Sequence, residues 1–276
     1  MIDEREIALG DGRRLHAYAE GDASARLTVV WHHGSPQTGA LLEPLLHPAR
    51  AREVRLISYA RPAYGGSTPV AGRDVASAAA DVAAVADAYG AEHFAVMGAS
   101  GGAPHALACG ALLPGRVVGV ACFAGIAPYD GTEAWFAGMH NPAGLRAALL
   151  GREARLAHAR TVQFDEASFT SRDWAALEGP WSALGRDAGA AGQAGPDGLV
   201  DDDVAFTRPW GFQLAEVPVP VLLVQGGEDR VVPPAHASAQ VASLPAGELW
   251  LRPRDGHVSV LLAVPVAFDW LLDSRP

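Results

Sequence analysis

The sequence has few cysteines, no dense cluster of basic residues and no long apolar run. Its two cysteines, Cys109 and Cys122, lack the spacing of a disulfide framework or a zinc site. We interpret both as small buried apolar side chains in a reducing compartment. Without a cluster of Lys and Arg to neutralise phosphates, a net charge of −10 argues against nucleic acid as a partner.

The lack of long apolar runs bears on location. No run approaches the length of a membrane span, and the charged residues 1–6 are not followed by the apolar core of a signal peptide. The sequence therefore predicts a soluble, cytoplasmic protein with no membrane partner. At 276 residues, 49% hydrophobic and 19% charged, the chain can form one large α/β core with an insertion.

Strand and helix patterns alternate along much of the chain. Residues 2–9 and 13–19 have the alternating polarity of an antiparallel hairpin. Further strands are predicted at 27–32, 53–59, 94–97, 116–124, 217–225 and 248–252, and the continuous apolar character of 27–32, 116–124 and 217–225 is typical of buried strands. This alternation predicts an α/β fold with a mostly parallel, twisted sheet of eight strands and helices on both faces. In the helix predicted over 74–89, we expect Asp81 and Asp87 to lie on the solvated face.

A strand, a sharp turn and a helix are predicted around Ser100. The apolar run 94–97 leads into a Gly-x-Ser-x-Gly motif at 98–102, which is followed by residues rich in Ala and Leu. A serine is a useful nucleophile when its hydroxyl is held clear of the backbone and within reach of a base. Gly98 and Gly102 have no Cβ atoms to collide where strand and helix meet, so Ser100 can occupy a strained apex.

A second turn, His-Gly-Ser-Pro at 33–36, follows the strand predicted at 27–32. An oxyanion is best held by two converging backbone donors. Because Pro36 has no N–H, we predict that Ser35 donates from this loop and that Gly101, just after the nucleophile, donates from the other side. An ordinary strand-to-helix loop is the alternative interpretation of this turn.

An acid and a histidine follow the last two strands. Asp229 lies in a glycine-bounded loop after 217–225, with Glu228 as a neighbour that could be mistaken for it. Asp229 could also simply cap the helix that begins near Pro233. His257 lies in the loop after the final strand, and the order serine, acid, histidine suits a catalytic triad.

Between the sixth and seventh strands the pattern changes. Residues 126–212 lack apolar strand runs, and we predict a helical cap inserted between core segments 1–125 and 213–276. Within it, the Gly/Ala run 185–198 is expected to be flexible. The cap holds tryptophans that could line a substrate pocket or pack the cap on the core: Trp135, Trp174, Trp181 and Trp210.

These motifs together resemble the α/β-hydrolase superfamily over nearly the whole chain. The closest resemblance is to its lidded esterases, proline iminopeptidase-like enzymes and cofactor-free perhydrolase-like members. The resemblance implies acyl transfer through an acyl-enzyme, with Ser100 as nucleophile, His257 as base and Asp229 as its orienting acid, and with no metal or cofactor. One departure bears on substrate class: many relatives have an Asp and an extra Gly where this chain has Tyr-Ala-Arg-Pro-Ala at 59–63.

The first functional hypothesis is a serine hydrolase, most simply a carboxylic ester hydrolase. Its substrates would be small to medium, largely uncharged esters, because the cap offers apolar and aromatic cover and no basic cluster. The oligomeric state is open. Because the base must start neutral, activity should fall on the acid side with an apparent pKa of roughly 6 to 7.

Two other hypotheses stay open. A proline iminopeptidase-like aminopeptidase needs buried carboxylates for the substrate ammonium, and the candidates are Asp130, Glu133 and either Asp165 or Glu166, although solvated helix faces also explain them. A small-molecule receptor could keep the same pocket without turnover, and carbon–carbon bond cleavage can use the same triad.

Overall fold

The long apolar runs of the sequence form the central strands of one sheet. The computed structural model describes residues 1–274, in which eight strands are hydrogen-bonded in the order β1-β2-β4-β3-β5-β6-β7-β8. The strands are β1 (Asp3–Ala8), β2 (Arg14–Glu20), β3 (Leu27–His32), β4 (Val54–Tyr59), β5 (Phe94–Ala99), β6 (Val117–Phe123), β7 (Val221–Gly226) and β8 (Gly247–Arg252). The β1–β2 and β2–β4 pairs are antiparallel and the others are parallel. The predicted mostly parallel eight-stranded sheet is confirmed.

Ten α-helices accompany the strands of residues 1–274. They are α1 (Glu43–Arg50), α2 (Ala78–Ala88), α3 (Ala103–Leu112), α4 (Ala143–Leu149), α5 (Arg152–Ala159), α6 (Ser171–Glu178), α7 (Ser182–Gln193), α8 (Asp197–Phe206), α9 (Pro234–Ser243) and α10 (Val264–Asp273). None of the helices in this part of the chain is both long and apolar enough to cross a membrane.

Helices pack on both faces of the sheet, as predicted. Successive residues of a strand point to opposite faces, and in β3 the side chain of Val30 joins one core while Val29 and Trp31 join the other. The first core includes Val82 of α2, and the second includes Phe268 of α10. Both faces of the central strands are therefore dry, which is why these strands are continuously apolar.

The expected position of Asp81 in α2 is wrong. This residue is buried, and its carboxylate lies 2.9 Å from a guanidinium nitrogen of Arg13 at the end of the β1–β2 hairpin. Burial raises the pKa of Asp81, although Arg13 acts in the opposite direction. Asp87, the next-to-last residue of the same helix, is exposed as expected.

The insertion, residues 126–212, lies between β6 and β7 and contains α4 to α8. The Gly/Ala run at 185–198, expected to be flexible, is mostly helical, because it falls within α7 and the start of α8. A buried carboxylate in this run, Asp187, accepts a hydrogen bond of 3.1 Å from the backbone N–H of Thr38 and another from its hydroxyl. This contact with the core stabilises a helix that local propensity disfavours.

Candidate active site

Ser100 lies at the apex of a strained turn between β5 and α3. Its φ is +51°, in the left-handed region that non-glycine residues rarely adopt. The glycines on either side allow this turn: a Cβ on Gly98 would lie 2.5 Å from the carbonyl oxygen of Gly102. A Cβ on Gly102 would lie 2.6 Å from the carbonyl oxygen of His33. The turn therefore holds the Ser100 side chain away from both the strand and the helix.

The structure brings Ser100, His257 and Asp229 together in one chain of hydrogen bonds. Ser100 Oγ lies 3.0 Å from His257 Nε2, and His257 Nδ1 lies 2.8 Å from Asp229 Oδ2. The three residues follow β5, β8 and β7, whose carboxyl ends meet at one edge of the parallel sheet. These distances are short enough to pass a proton from the serine hydroxyl to the imidazole.

Asp229 contacts His257, and the alternative role of capping α9 is wrong, because its backbone partners precede this helix and no side chain among residues 1–274 caps the helix N-terminus. Its Oδ1 accepts hydrogen bonds from the backbone N–H groups of Val231 and Val232, at 2.8 and 2.9 Å. Its Oδ2 faces His257 and also accepts from Gln225 Nε2 at 3.2 Å. Glu228, the neighbouring acid, is exposed. The Asp229 carboxylate is therefore fixed in place and oriented toward the imidazole.

Two opposing effects set the protonation of His257. Burial lowers the pKa of the imidazole, but the carboxylate of Asp229 raises it more, through its charge and its hydrogen bond. The pKa of His257 therefore lies above its ordinary value of 6.5. A hydrogen-bonded carboxylate also fixes the tautomer, with the proton on Nδ1 and a free Nε2 lone pair facing Ser100.

Ser35 and Gly101, the two predicted oxyanion donors, lie against each other. A Cβ placed on Gly101 would overlap Ser35 Oγ and would lie 3.3 Å from Phe206 Cζ. The backbone N–H of Ser35 has no acceptor within residues 1–274. The absence of a side chain at Gly101 therefore leaves space for a small group beside both backbone amides.

Hydrogen bonds to the Gly34 carbonyl oxygen fix the Gly34–Ser35 peptide, which carries the Ser35 N–H. The carbonyl oxygen of Gly34 accepts a hydrogen bond of 2.7 Å from His33 Nδ1 and one of 3.3 Å from Arg61. His33 Nε2 in turn accepts from the backbone N–H of Arg61 at 3.2 Å, so both ring nitrogens are used. Because a peptide unit is planar, fixing the Gly34 carbonyl also fixes the direction of the Ser35 N–H.

A buried charged cluster that sequence reasoning missed lies next to this turn. Asp202 of α8 is fully buried, and its carboxylate lies 2.7 Å from Arg61 and 2.5 Å from Arg73. It also accepts hydrogen bonds from the Tyr64 hydroxyl, at 2.8 Å, and from the Ser35 hydroxyl. Burial alone would raise the pKa of Asp202, but the two guanidiniums hold it well below its usual range.

The tryptophans predicted as substrate contacts fall into two groups. Trp135, Trp181 and Trp210 are buried, and the indole N–H of Trp135 donates to the carbonyl oxygen of Ala127 at 3.1 Å. Trp174 is partly buried and belongs to an aromatic cluster near His257. This cluster is Phe164, Phe169 and Trp174, in which the Phe169 ring lies 5.5 Å from Trp174 and 6.4 Å from the nearly parallel ring of His257.

The carboxylates considered for an ammonium pocket are on the surface. Asp130, Glu133, Asp165 and Glu166 are all exposed. Glu133 forms a bidentate ion pair with Arg146, at 2.8 and 2.6 Å, and Asp165 lies 2.9 Å from His140. These contacts are those of solvated helix faces, and none of the four side chains forms a buried acidic site.

The sequence and the fold were each compared with known proteins. The family described as the alpha/beta hydrolase fold has a sequence model that matches residues 28–264. No curated protein matches the chain.

Many solved structures share the fold. An esterase from Thermogutta terrifontis is 18% identical with a TM-score of 0.73, and the alignment covers 99% of this chain and 100% of that one. A bromoperoxidase from Bacillus anthracis is 19% identical with a TM-score of 0.74, covering 98% and 97%. An enol-lactonase from Burkholderia xenovorans is 17% identical with a TM-score of 0.73, covering 98% of each chain. At these identities the structures show a common fold, and the sequence match over most of the chain shows that it belongs to the α/β-hydrolase family.

Proposed function

We propose that this protein is a serine hydrolase that cleaves small to medium, largely uncharged carboxylic esters through an acyl-enzyme intermediate. The observation that carries the proposal is the hydrogen-bonded chain from Ser100 Oγ through His257 to Asp229, with distances of 3.0 and 2.8 Å. A small-molecule ester would be its binding partner.

In the first step, His257 Nε2 takes the proton of the Ser100 hydroxyl while the oxygen attacks the ester carbonyl carbon. Asp229 stabilises the imidazolium that forms. The carbonyl oxygen becomes an oxyanion, which the N–H groups of Ser35 and Gly101 bind, each lowering the barrier by about 3 kcal/mol. His257 then gives its proton to the alcohol oxygen, the carbon–oxygen bond breaks, and the acyl group stays on Ser100.

In the second step, water replaces the alcohol. His257 takes a proton from this water as its oxygen attacks the acyl carbon, and the same two N–H groups bind the second oxyanion. Collapse of the intermediate returns the proton from His257 to Ser100 and releases the carboxylic acid. The same groups therefore act twice, and no further reactant than water is needed.

The preference for uncharged esters is supported by what surrounds the turn. Phe206 lies beside Gly101, and Phe169 lies over the ring of His257. The nearby guanidiniums of Arg61 and Arg73 are already bound to Asp202, so neither is a free cation for an anionic substrate. Glu133 and Asp130, candidates for an aminopeptidase's ammonium site, are on the surface, and the buried Asp202 is already bound by two guanidiniums.

Covalent labelling tests the proposal most directly. A fluorophosphonate should label the wild-type protein on Ser100, and Ser100→Ala should lose both the label and the hydrolysis of p-nitrophenyl acetate and butyrate. The loss in kcat should be several powers of ten, because triad members act as a unit. Intact-mass measurement would count the adducts, and peptide mapping by tandem mass spectrometry would locate the adduct on Ser100.

The alternatives give different results in the same assay. Faster cleavage of prolyl p-nitroanilide than of the p-nitrophenyl esters would favour an aminopeptidase and contradict the ester preference. A correctly folded wild-type protein that neither reacts with the fluorophosphonate nor hydrolyses esters would instead be a binding protein. Residual activity of Ser100→Ala equal to that of the wild type would exclude Ser100 as the nucleophile.

A further inference from the structure

Two buried carboxylates of the insertion bind turns of the core, one next to His257 and the other next to Ser35. Asp173, in the first turn of α6, is 0% exposed and lies against the turn of His257. Asp202, in α8, is also 0% exposed and lies against the turn of Ser35. Burying a carboxylate is costly unless it is fully bonded, so the partners of these two groups are informative.

Asp173 binds the backbone that directly follows His257. Its Oδ1 accepts hydrogen bonds from the backbone N–H groups of Val258, at 2.8 Å, and Ser259, at 2.7 Å, and from the Ser259 hydroxyl, at 2.8 Å. Its Oδ2 accepts from the N–H and hydroxyl of Thr170, at 2.9 and 2.8 Å. Gly256 packs directly on this carboxylate, because a Cβ there would overlap Oδ2.

Asp202 binds Arg61 and Ser35, two residues that fix the turn containing Ser35. Its carboxylate contacts Arg61, and Arg61 also donates to the carbonyl oxygens of His33, at 2.5 Å, and Gly34, at 3.3 Å. It also accepts directly from the hydroxyl of Ser35. The position of the Ser35 peptide therefore depends on a carboxylate that the insertion supplies.

We propose that Asp173 and Asp202 are positioning residues for the two halves of the catalytic machinery, Asp173 for the turn of His257 and Asp202 for the turn of Ser35. The inference rests on the proposed hydrolase function. With these two roles, the insertion would support the reaction centre structurally in addition to covering it.

The charges around His257 allow Asp173 to be tested separately. Asp229 contacts the imidazole from the loop after β7, and the uncharged Ser100 contacts it from the turn after β5, whereas Asp173 of α6 binds the backbone just after His257. Asp255, on the same loop as His257, is bound by Arg172 at 2.8 Å and by Arg252. Burial lowers the pKa of His257, whereas the charges of Asp229 and, to a smaller extent, Asp173 raise it.

The experiment compares Asp173→Asn and Asp202→Asn with Asp203→Asn in the full chain. Asp203 is the matched control because it is the next buried carboxylate of α8, but its ion pair of 2.6 Å is with Arg155 of α5, inside the insertion. NMR titration of the His257 imidazole, in a Ser100→Ala background, reads its pKa without any activity. Steady-state kinetics of the same variants with Ser100 intact give kcat, KM and the acid limb of the pH profile of kcat/KM.

Asp173→Asn should lower the pKa of His257 and move the acid limb to lower pH by the same amount. Asp202→Asn should leave that pKa unchanged and lower kcat roughly 10- to 100-fold, as expected when a reacting group is displaced by about 1 Å. Asp203→Asn should change neither kcat nor the pKa of His257. Asp173→Glu, which keeps the charge, should keep the pKa of His257 closer to that of the wild type.

Other results would overturn the inference. An unchanged pKa of His257 in Asp173→Asn, or a kcat in Asp202→Asn no lower than in Asp203→Asn, would remove the corresponding role. If Asp173→Asn does not fold, Ser259→Ala removes one hydrogen bond to the same carboxylate, and an unchanged kcat there would count against the role. Failure of the wild type to hydrolyse esters would contradict the proposed function, while the NMR titration would still report on Asp173.

Discussion

Gly101 has no side chain at the place where a substrate oxygen would have to fit. Its φ is not in the left-handed region, so alanine can adopt the same backbone conformation. The added methyl group would nevertheless overlap Ser35 Oγ and fill the space beside the two proposed oxyanion donors. We expect Gly101→Ala to lower kcat by about 10²-fold, the effect of losing one such donor, with a smaller change in KM. Steady-state hydrolysis of p-nitrophenyl butyrate measures both.

A glycine in open space provides the control for this substitution. Gly189 is an exposed residue of α7, and a Cβ there would meet nothing within 4 Å. Gly189→Ala should leave kcat unchanged and raise the free energy of unfolding by about 0.5–1 kcal/mol, because glycine is a poor helix former. A wild-type kcat in Gly101→Ala would show that the oxyanion binds elsewhere.

Single residues differ in how far the sequence predicts them. Ser100, Asp229 and His257 each follow a strand, in a glycine-containing turn or loop, so local pattern and chain order are enough to predict them together. Asp202 carries no such local signal, since its partners Arg61 and Arg73 are 141 and 129 positions away. Asp173 is similar, because the N–H of Val258 is 85 positions from it. Such long-range contacts depend on tertiary packing, and the periodicity of the sequence does not reveal them.

Secondary-structure elements also differ in how well the sequence predicts them. The central strands are dry on both faces and are therefore apolar throughout, so the sequence predicts them well. The Gly/Ala run 185–198 predicts a flexible segment, but most of it is helical, and Asp187 and the buried Trp181 tie α7 to its surroundings. Similarly, α2 buries Asp81 because Arg13 meets it from a hairpin distant in sequence. The amphipathic pattern of a helix alone predicts that such carboxylates are exposed to solvent.

The aromatic cluster of Phe164, Phe169 and Trp174 suggests how the insertion contributes to substrate choice. Phe169 lies nearly parallel to the imidazole of His257, with an interplanar angle of 15°, and Phe164 is 63% exposed. The cluster therefore extends from the protein surface to His257, which protonates the leaving alcohol in the proposed mechanism. An apolar alcohol group departing on this side would contact these rings.

We therefore expect Phe169→Ala to change selectivity between alcohols. The ratio of kcat/KM for a 1-naphthyl ester to that for the methyl ester of the same acid should fall about tenfold, as for the loss of one apolar contact. Competition between the two esters, followed by chromatography of the products, gives this ratio directly. Val162→Ala, an exposed change in the same segment, should leave it unchanged. An equal ratio in Phe169→Ala and the wild type would place the alcohol group elsewhere.

Across the whole molecule, buried histidines make stability depend on pH. His32, His33 and His105 are each 1% exposed or less. Burial holds the pKa of His32 and His33 well below 6.5 and lowers that of His105 to about 4. Below pH 6.5 the unfolded chain therefore binds protons at these three residues that the folded chain does not. Asp203 acts in the opposite direction, because burial raises its pKa to about 6 and the folded chain then binds the extra proton.

Taken together, these three histidines and one carboxyl give the unfolded state an excess of about two protons between pH 6 and pH 4.5, and two further groups, His236 with a pKa lowered by burial and Asp81 with a pKa raised by burial, act in opposite directions. The free energy of unfolding should therefore fall as the pH is lowered through this window, by at most about 3 kcal/mol per pH unit. Urea denaturation at closely spaced pH values, with a constant m-value as the check on two-state behaviour, measures the slope. His32→Gln removes one of the three histidines, so its slope should be shallower by up to about 1.4 kcal/mol per pH unit, whatever its stability at pH 7. A free energy of unfolding that stays constant from pH 6.5 to pH 5 would mean that these imidazoles are protonated in the folded protein, and that His33 does not accept a hydrogen bond from Arg61.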